Sequence, residues 1–223
     1  MMDLNFVILE DQKLVCNLNG VSPYFVNAVR RTLVGDVPKL ALEEVEFHLG
    51  PVRVEGGKEF ESITPLFDEI LAHRIGLVPI PTDLPTQLAM ASNAAASVPV
   101  MYKLSKQGPC TVYSGDLEPV GDAAPIKDPF IPLVKLADGQ APLVYATAVL
   151  GTGRQHAKWM PCSGIGFRYD PEDLDAKGRP KQFTFSFETD GSISTLDALR
   201  FALGHLERSF LDLEGRLAGL EAQ

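Results

Sequence analysis

The clearest pattern of apolar and polar positions lies at the end of the chain. Leu196, Leu199, Leu203, Leu206, Phe210, Leu213, Leu217 and Leu220 recur at alternating spacings of three and four. That rhythm draws one apolar ridge along one side of a helix and predicts a helix over 194–220. Ser194, with Asp197 three positions on, supplies a capping-box-like start. Arg200, Glu207, Arg208, Asp212, Glu214 and Arg216 fall between the ridge residues and suit a wetted opposite face. Gly204, Gly215 and Gly219 interrupt the helix, each at a cost of about 1 kcal/mol relative to alanine. Burying the ridge, at about 1.5–3 kcal/mol per large side chain, outweighs that cost if some surface covers it. The cover is either this chain's own sheet or part of another chain, and periodicity alone leaves both open.

The same reading runs from the other end. Leu4, Phe6 and Ile8, then Leu14, Cys16 and Leu18, alternate around the polar 10–13 stretch and predict a β-hairpin that ends at Asn19-Gly20. Ser22 caps a helix with Pro23 in its first position, where the missing N–H does no harm. Phe25, Ala28, Val29, Thr32 and Leu33 form one face of it, Asn27, Arg30 and Arg31 the other, and Gly35 and Pro38 stop it. A strand follows over 40–47, then a polar, glycine-bearing loop over 49–62 and a short helix over 65–73, closed by Gly76 and Pro79. The stretch 82–97 reads as irregular. Strands are expected at 98–104, 110–114, 131–136 and 142–150, with a proline-bearing loop over 118–132. A charged turn over 170–180 precedes Phe183, Phe185 and Phe187, which alternate with polar residues as a strand with one strongly apolar face. The order predicts an α+β fold: a discontinuous helix-on-sheet domain from 1–47 plus 181–223, with a mainly-β insertion over 48–180.

Composition narrows the function classes. The 223 residues are 45 % hydrophobic and 22 % charged, as expected of a soluble globular protein. The net charge of −9 makes the chain a poor general binder of phosphate backbones, so no direct nucleic-acid contact is expected. Cys16, Cys110 and Cys162 are far apart and form no CxxC, which argues against a disulfide framework and a cysteine-rich metal site. No apolar run approaches membrane-spanning length, and the acidic first residues do not suit a signal peptide. A reducing cytoplasm is the expected location.

Candidate chemistry is sparse. Glu69 and His73 share a helix face, but the order is the reverse of HExxH and no second histidine lies at helical spacing. Gly151-Thr152-Gly153 follows a strand, yet His156 stands where a dinucleotide fingerprint needs glycine, and no Walker-type lysine occurs. Ser163 lacks the spacing of a nucleophile elbow, and Cys162 has no histidine near it in sequence. Lys177, Arg179 and Lys181 make a basic turn, read as a solvated loop or a partner contact. The run from Gly153 to Pro161 mixes cations with Trp159 and reads either as a contact surface or as a turn around a buried tryptophan.

Three segments together resemble one family. They are Asn27-Ala28-Val29-Arg30-Arg31-Thr32-Leu33, with Val37-Pro38 and Leu42-Glu43-Glu44-Val45 behind it; Asp68-Glu69-Ile70-Leu71-Ala72-His73-Arg74-Ile75-Gly76-Leu77-Val78-Pro79; and His156-Ala157-Lys158-Trp159 with Pro161. In this order they resemble the D subunit of archaeal RNA polymerase, related to the third-largest subunit of eukaryotic polymerase II and to the amino-terminal part of bacterial alpha. The resemblance covers essentially the whole chain. It implies a non-catalytic assembly subunit with a discontinuous dimerisation domain, paired with the small L subunit as a platform for the catalytic subunits. A homodimeric, alpha-like module is the alternative. It also implies a seam with L formed by the two terminal helices, for which Phe25, Val29, Leu33, Leu199, Leu203, Leu206, Phe210 and Leu213 are the candidates. Arg30, Arg31, His73, Arg74, His156, Lys158 and Trp159 are the candidates for contact with the second-largest subunit, and the small subunits N and P are further expected neighbours. Departures matter too: no room or cysteines exist for the ferredoxin-like insertion and iron–sulfur cluster of many relatives, nor for the zinc-binding cysteines of eukaryotic ones. No cofactor is therefore expected. The loop Gly50–Glu61 looks longer than usual for the family.

Overall fold

The computed structural model describes residues 2–53, 59–86, 88 and 100–221. In chain order its first elements are β1 (Asp3–Leu9), β2 (Lys13–Asn19), α1 (Pro23–Gly35), β3 (Pro38–Phe47), β4 (Pro51–Arg53), β5 (Glu59–Glu61) and α2 (Asp68–Gly76). There follow β6 (Val100–Ser105), β7 (Cys110–Tyr113), β8 (Leu117–Val120), β9 (Pro132–Leu136) and β10 (Leu143–Thr152). The last are β11 (Cys162–Arg168), β12 (Gln182–Thr189) and a terminal helix, α3 (Thr195–Glu221). The protein is thus a mixed fold of antiparallel sheets and helices. It divides into two compact units, one of residues 1–38 and 152–223, the other of 39–151.

The first unit draws on both ends of the chain. Its sheet runs β1-β2-β12-β11, antiparallel throughout. Alternation puts Leu14, Cys16 and Leu18 of β2 on one face, opposite Phe187, Phe185 and Phe183 of β12, and all six are buried. The helices cover that face. Ser22 Oγ accepts from Phe25 N at 3.2 Å to start α1, whose buried stripe is Val26, Val29, Thr32 and Leu33. α1 packs against β11 and α3, while α3 also touches β2 and β12. The α3 cap is a variation on the expected box: Ser194 Oγ accepts from Asp197 N at 3.1 Å and donates to the Asp197 carboxylate at 2.7 Å.

The second unit is built on a sheet ordered β3-β10-β6-β8, with the pairs β4-β5 and β7-β9 beside it. Leu40, Leu42, Leu71, Ile75, Val78, Ile80, Tyr102 and Leu104 lie in its core. Tyr102 is fully enclosed; its hydroxyl donates to the Ala124 carbonyl at 2.6 Å, and burial pushes its pKa up to about 12.

Several expectations change. The unit boundaries fall at 38/39 and 151/152 rather than at 47/48 and 180/181. The reason is pairing across the chain: β3 joins the sheet of β10, and β11 zips onto β12. The 49–62 stretch is not a plain loop, since Pro51↔Glu61 and Val52↔Phe60 pair as a short ribbon; residues 54–58 of it lie outside the described residues. β8 occupies the start of the expected 118–132 loop. β11 was not expected as a strand at all. Of the expected irregular stretch 82–97, residues 87 and 89–97 lie outside the described residues.

Candidate assembly interface

The terminal helix changes character halfway. Its twenty-seven residues span about 40 Å. In the first half, Thr195, Ala198, Leu199 and Ala202 are buried, a stripe at i, i+3, i+4 and i+7. Small side chains on that stripe let the helix approach its neighbours closely. The leucine ridge lies off to one side of it: Leu199 is 7 % exposed, Leu203 already 38 %, and Leu206 half-buried. From residue 207 to 219 every residue is exposed. Phe210, Leu211, Leu213 and Leu217 are among them, at 65, 58, 53 and 54 %. Leaving such side chains in water forgoes about 1.5–3 kcal/mol for each one that a cover would fully bury. A contiguous apolar ridge flanked by Arg208, Asp212, Glu214 and Arg216 is the composition of a protein-binding surface rather than of a solvated helix face.

α1 behaves differently from its expected role. Val29 and Leu33 are 3 and 0 % exposed inside their own unit, so they hold α1 in place and offer no outer surface. Phe25 is half-buried, and the exposed aromatic of this helix is Tyr24, at 86 %. Arg31 is exposed; Arg30 is half-buried, its Nε donating to Asn27 Oδ1 at 3.0 Å.

The 152–161 turn is fastened to the C-terminal end of α1. Arg154 N donates to the Gly35 carbonyl at 3.1 Å, and its guanidinium grips the Asp36 carboxylate through two N–H groups. That hydrogen bond, with the charge of Asp36 behind it, holds the Arg154 pKa above its ordinary value. Gly153 is required here, because a Cβ would lie 2.3 Å from the Val34 carbonyl oxygen. Beyond it, Ala157–Trp159 form a single 3-10 turn, capped by His156 Nδ1 accepting from Lys158 N at 3.1 Å. Trp159 is buried, with the His156 ring edge-on and the Lys158 ammonium 4.6 Å from its centre. Trp159 therefore shapes this surface from beneath, and His156 and Lys158 are the groups it presents.

In the second unit, α2 buries Leu71 and Ile75 and turns His73 and Arg74 outward. Arg74 donates to the Pro132 carbonyl at 2.7 Å, at the wall of a groove lined by Pro65, Leu66, Leu133 and Lys135. Ile70 on this helix is exposed, as are Phe67 and Leu77 at its two caps, an apolar set at spacings of three and seven that the sequence analysis did not single out.

Chemistry remains sparse. Among the described residues no group of three or more His, Cys, Asp or Glu side chains is arranged to hold a metal ion. Cys16 and Cys162 are buried and Cys110 half-buried, and none of the three is in a disulfide; burial alone pushes Cys16 up to about 11. In the 170–180 turn, Asp175 accepts from Arg179 N, from the Arg179 guanidinium and from Lys177 N, which lowers its pKa, while Lys181 pairs with Asp173. Arg179 and Lys181 thus find carboxylate partners within the turn region itself. Among the described residues no helix is long and apolar enough to cross a membrane.

Residues 52–162 match the family model described as the RNA polymerase Rpb3/RpoA insert domain. Along its length the chain is similar to DNA-directed RNA polymerase subunit Rpo3 of Picrophilus torridus, at 34 % identity over 94 % of this chain and 97 % of the relative. It is similar to the same subunit of Thermoplasma volcanium, at 33 % over 92 and 95 %. Against Rpo3 of Methanothermobacter thermautotrophicus, identity is 37 % over 78 % of this chain and 66 % of that protein. With that identity sustained over nearly the whole of two relatives, the chain belongs to the Rpo3 family of archaeal DNA-directed RNA polymerase subunits.

Proposed function

We propose that the chain is the non-catalytic assembly subunit of a cytoplasmic DNA-directed RNA polymerase, pairing with the small L subunit to form a platform for the catalytic subunits. The observation that carries the pairing is the exposed ridge of α3: Phe210, Leu213 and Leu217 stand in solvent at coiled-coil spacing. In this reading the unit built from both chain ends is the discontinuous, helix-on-sheet dimerisation domain. The seam uses Leu203, Leu206, Phe210 and Leu213, while Val29, Leu33 and Leu199 hold the scaffold beneath. Arg31, with Arg30 behind it, and His156 and Lys158 on the turn tied to α1 by Arg154 would meet the second-largest subunit. So would His73 and Arg74 on α2. N and P would be further neighbours. Zinc and an iron–sulfur cluster have no part in the mechanism, which is burial of apolar surface; metal analysis of the purified protein should find neither in stoichiometric amount.

Co-expression with L tests the reading. A stable pair of one chain each is expected, and Leu203→Asp with Phe210→Asp should abolish it while leaving the free chain folded. A tight homodimer that excludes L, seen by sedimentation, would instead establish the alpha-like module. Pairing that survives the double substitution would remove the seam assignment.

A further inference from the structure

The 152–161 turn meets the C-terminal end of α1 more closely than a surface loop needs to. Two glycines face each other across that contact, and neither takes a positive φ. What both supply is room. A Cβ on Gly153 would lie 3.5 Å from Gly35 Cα as well as against the Val34 carbonyl, and a Cβ on Gly35 would meet Arg154 first, at 3.4 Å from its Cγ. The stem of Arg154 therefore lies across the last residue of the helix.

Charge explains what Arg154 does there. Asp36 caps α1, its N–H donating to the Thr32 carbonyl at 2.8 Å. A carboxylate beside the carbonyl end of a helix opposes the helix dipole, and the last turn of α1 carries no basic residue to offset it. The Asp36 side chain is also only 12 % exposed, so without a partner it would be a poorly solvated charge. Arg154 supplies the missing cation from 118 positions away, Nη2 donating to Oδ2 at 3.1 Å and Nε to Oδ1. Its side chain is still 65 % exposed, as a cation displayed to a partner would be, yet its fork is spent inward on Asp36. The far end of the turn is held independently: Trp159 is buried, and the Pro161 carbonyl accepts from Asp190 N at 2.9 Å. His156 and Lys158 lie between the two fastenings.

From this we infer that Arg154 is a positioning residue for the contact with the second-largest subunit. Locked by Asp36, it fixes the near end of the turn on α1 and so sets where His156 and Lys158 stand; it does not itself touch the partner. The inference rests on the proposed contact through His156 and Lys158 and adds the pair that orients it. A cation at this place can have either of two roles. A contact residue acts by its own charge, and losing Asp36 sets that charge free. A positioning residue acts through Asp36, and losing either member has the same result.

Titrating the co-purified pair with L against the second-largest subunit tests it as a double-mutant cycle. Asp36→Asn and Arg154→Gln should each weaken binding about tenfold, and the two together no further, the non-additivity of one coupled pair. Arg154→Lys, which keeps the charge but not the fork, should fall between. Gly35→Leu alters no charge and suits a helix better than glycine; it should weaken binding too, by displacing the Arg154 stem. Amide exchange over 153–158 should quicken in each variant, while affinity for L stays unchanged. If Arg154→Gln weakens binding and Asp36→Asn does not, Arg154 is a direct contact and the inference falls. It falls also if pairing with L weakens by the same factor, since the substitutions then act through the fold at large. If these variants bind normally while His156→Ala with Lys158→Ala weakens binding, the positioning role falls and the contact stands. If that last pair of substitutions has no effect either, both fall.

Discussion

The two halves of α3 carry one spacing and meet opposite surroundings. From Thr195 to Leu206 the helix lies on its own sheet and on α1, and its inner stripe is Ala198, Leu199 and Ala202. From Glu207 onward the same three–four ridge continues with Phe210, Leu213 and Leu217, and its own unit leaves those residues exposed. Periodicity makes a helix with a ridge; it does not say whose atoms complete the burial. In this molecule the first half packs within its own unit and the second half keeps its apolar side chains exposed, the difference on which the proposed pairing rests.

Substitutions should separate the halves. Phe210→Asp with Leu213→Asp should have the largest effect, weakening the pair with L by about 4 kcal/mol or more, as loss of two central anchors does. Isothermal calorimetry reads that loss, and the thermal midpoint of the free chain should stay where it was. Leu199→Ala is expected to do the reverse. It should lower the stability of the free chain by about 2–4 kcal/mol in urea titrations, as a cavity in a packed core does, and disturb pairing only through folding.

A thiol probe sharpens the same comparison. Cys16 lies under the first half's side of the sheet with its pKa raised to about 11 by burial. At pH 8 the native chain should therefore show one readily labelled thiol, Cys110, with Cys16 and Cys162 slow. A folded-state pKa above the unfolded one favours the neutral thiol, and that contribution is lost as pH rises from about 9 towards 11. Leu199→Ala should speed labelling of Cys16; the Phe210 and Leu213 substitutions should not. The smallest effect is expected from Gly215→Ala and Gly219→Ala, where an added Cβ meets nothing within 4 Å. Each should add up to about 1 kcal/mol of helix stability, read as increased helical circular dichroism in the free chain.

Legibility in the sequence followed how local each signal was. The capped start at Ser22, the phenylalanine strand and the terminal helix are written in a few adjacent residues, and all three stand where expected. β11 was hidden because Gly164 takes a φ of +58° and the register shifts between Ser163 and Gly166, which erases alternation. The inner stripe of α3 was missed because alanines carry little weight in a search for large apolar residues, though they are what fits under a close helix. The fastening of the His156 turn depends on Arg154 meeting Asp36, 118 positions away, and on Gly153 yielding to Val34. No local pattern encodes such a meeting. Trp159, open in sequence between contact and core, is decided by that fold.

Amide hydrogen exchange across α3, measured for the free chain and for the pair with L, tests the central claim most directly. Protection of residues 207–219 should rise strongly on pairing, while 195–206, already packed on its own sheet, should change little. Equal exchange of 207–219 in both states would contradict the account.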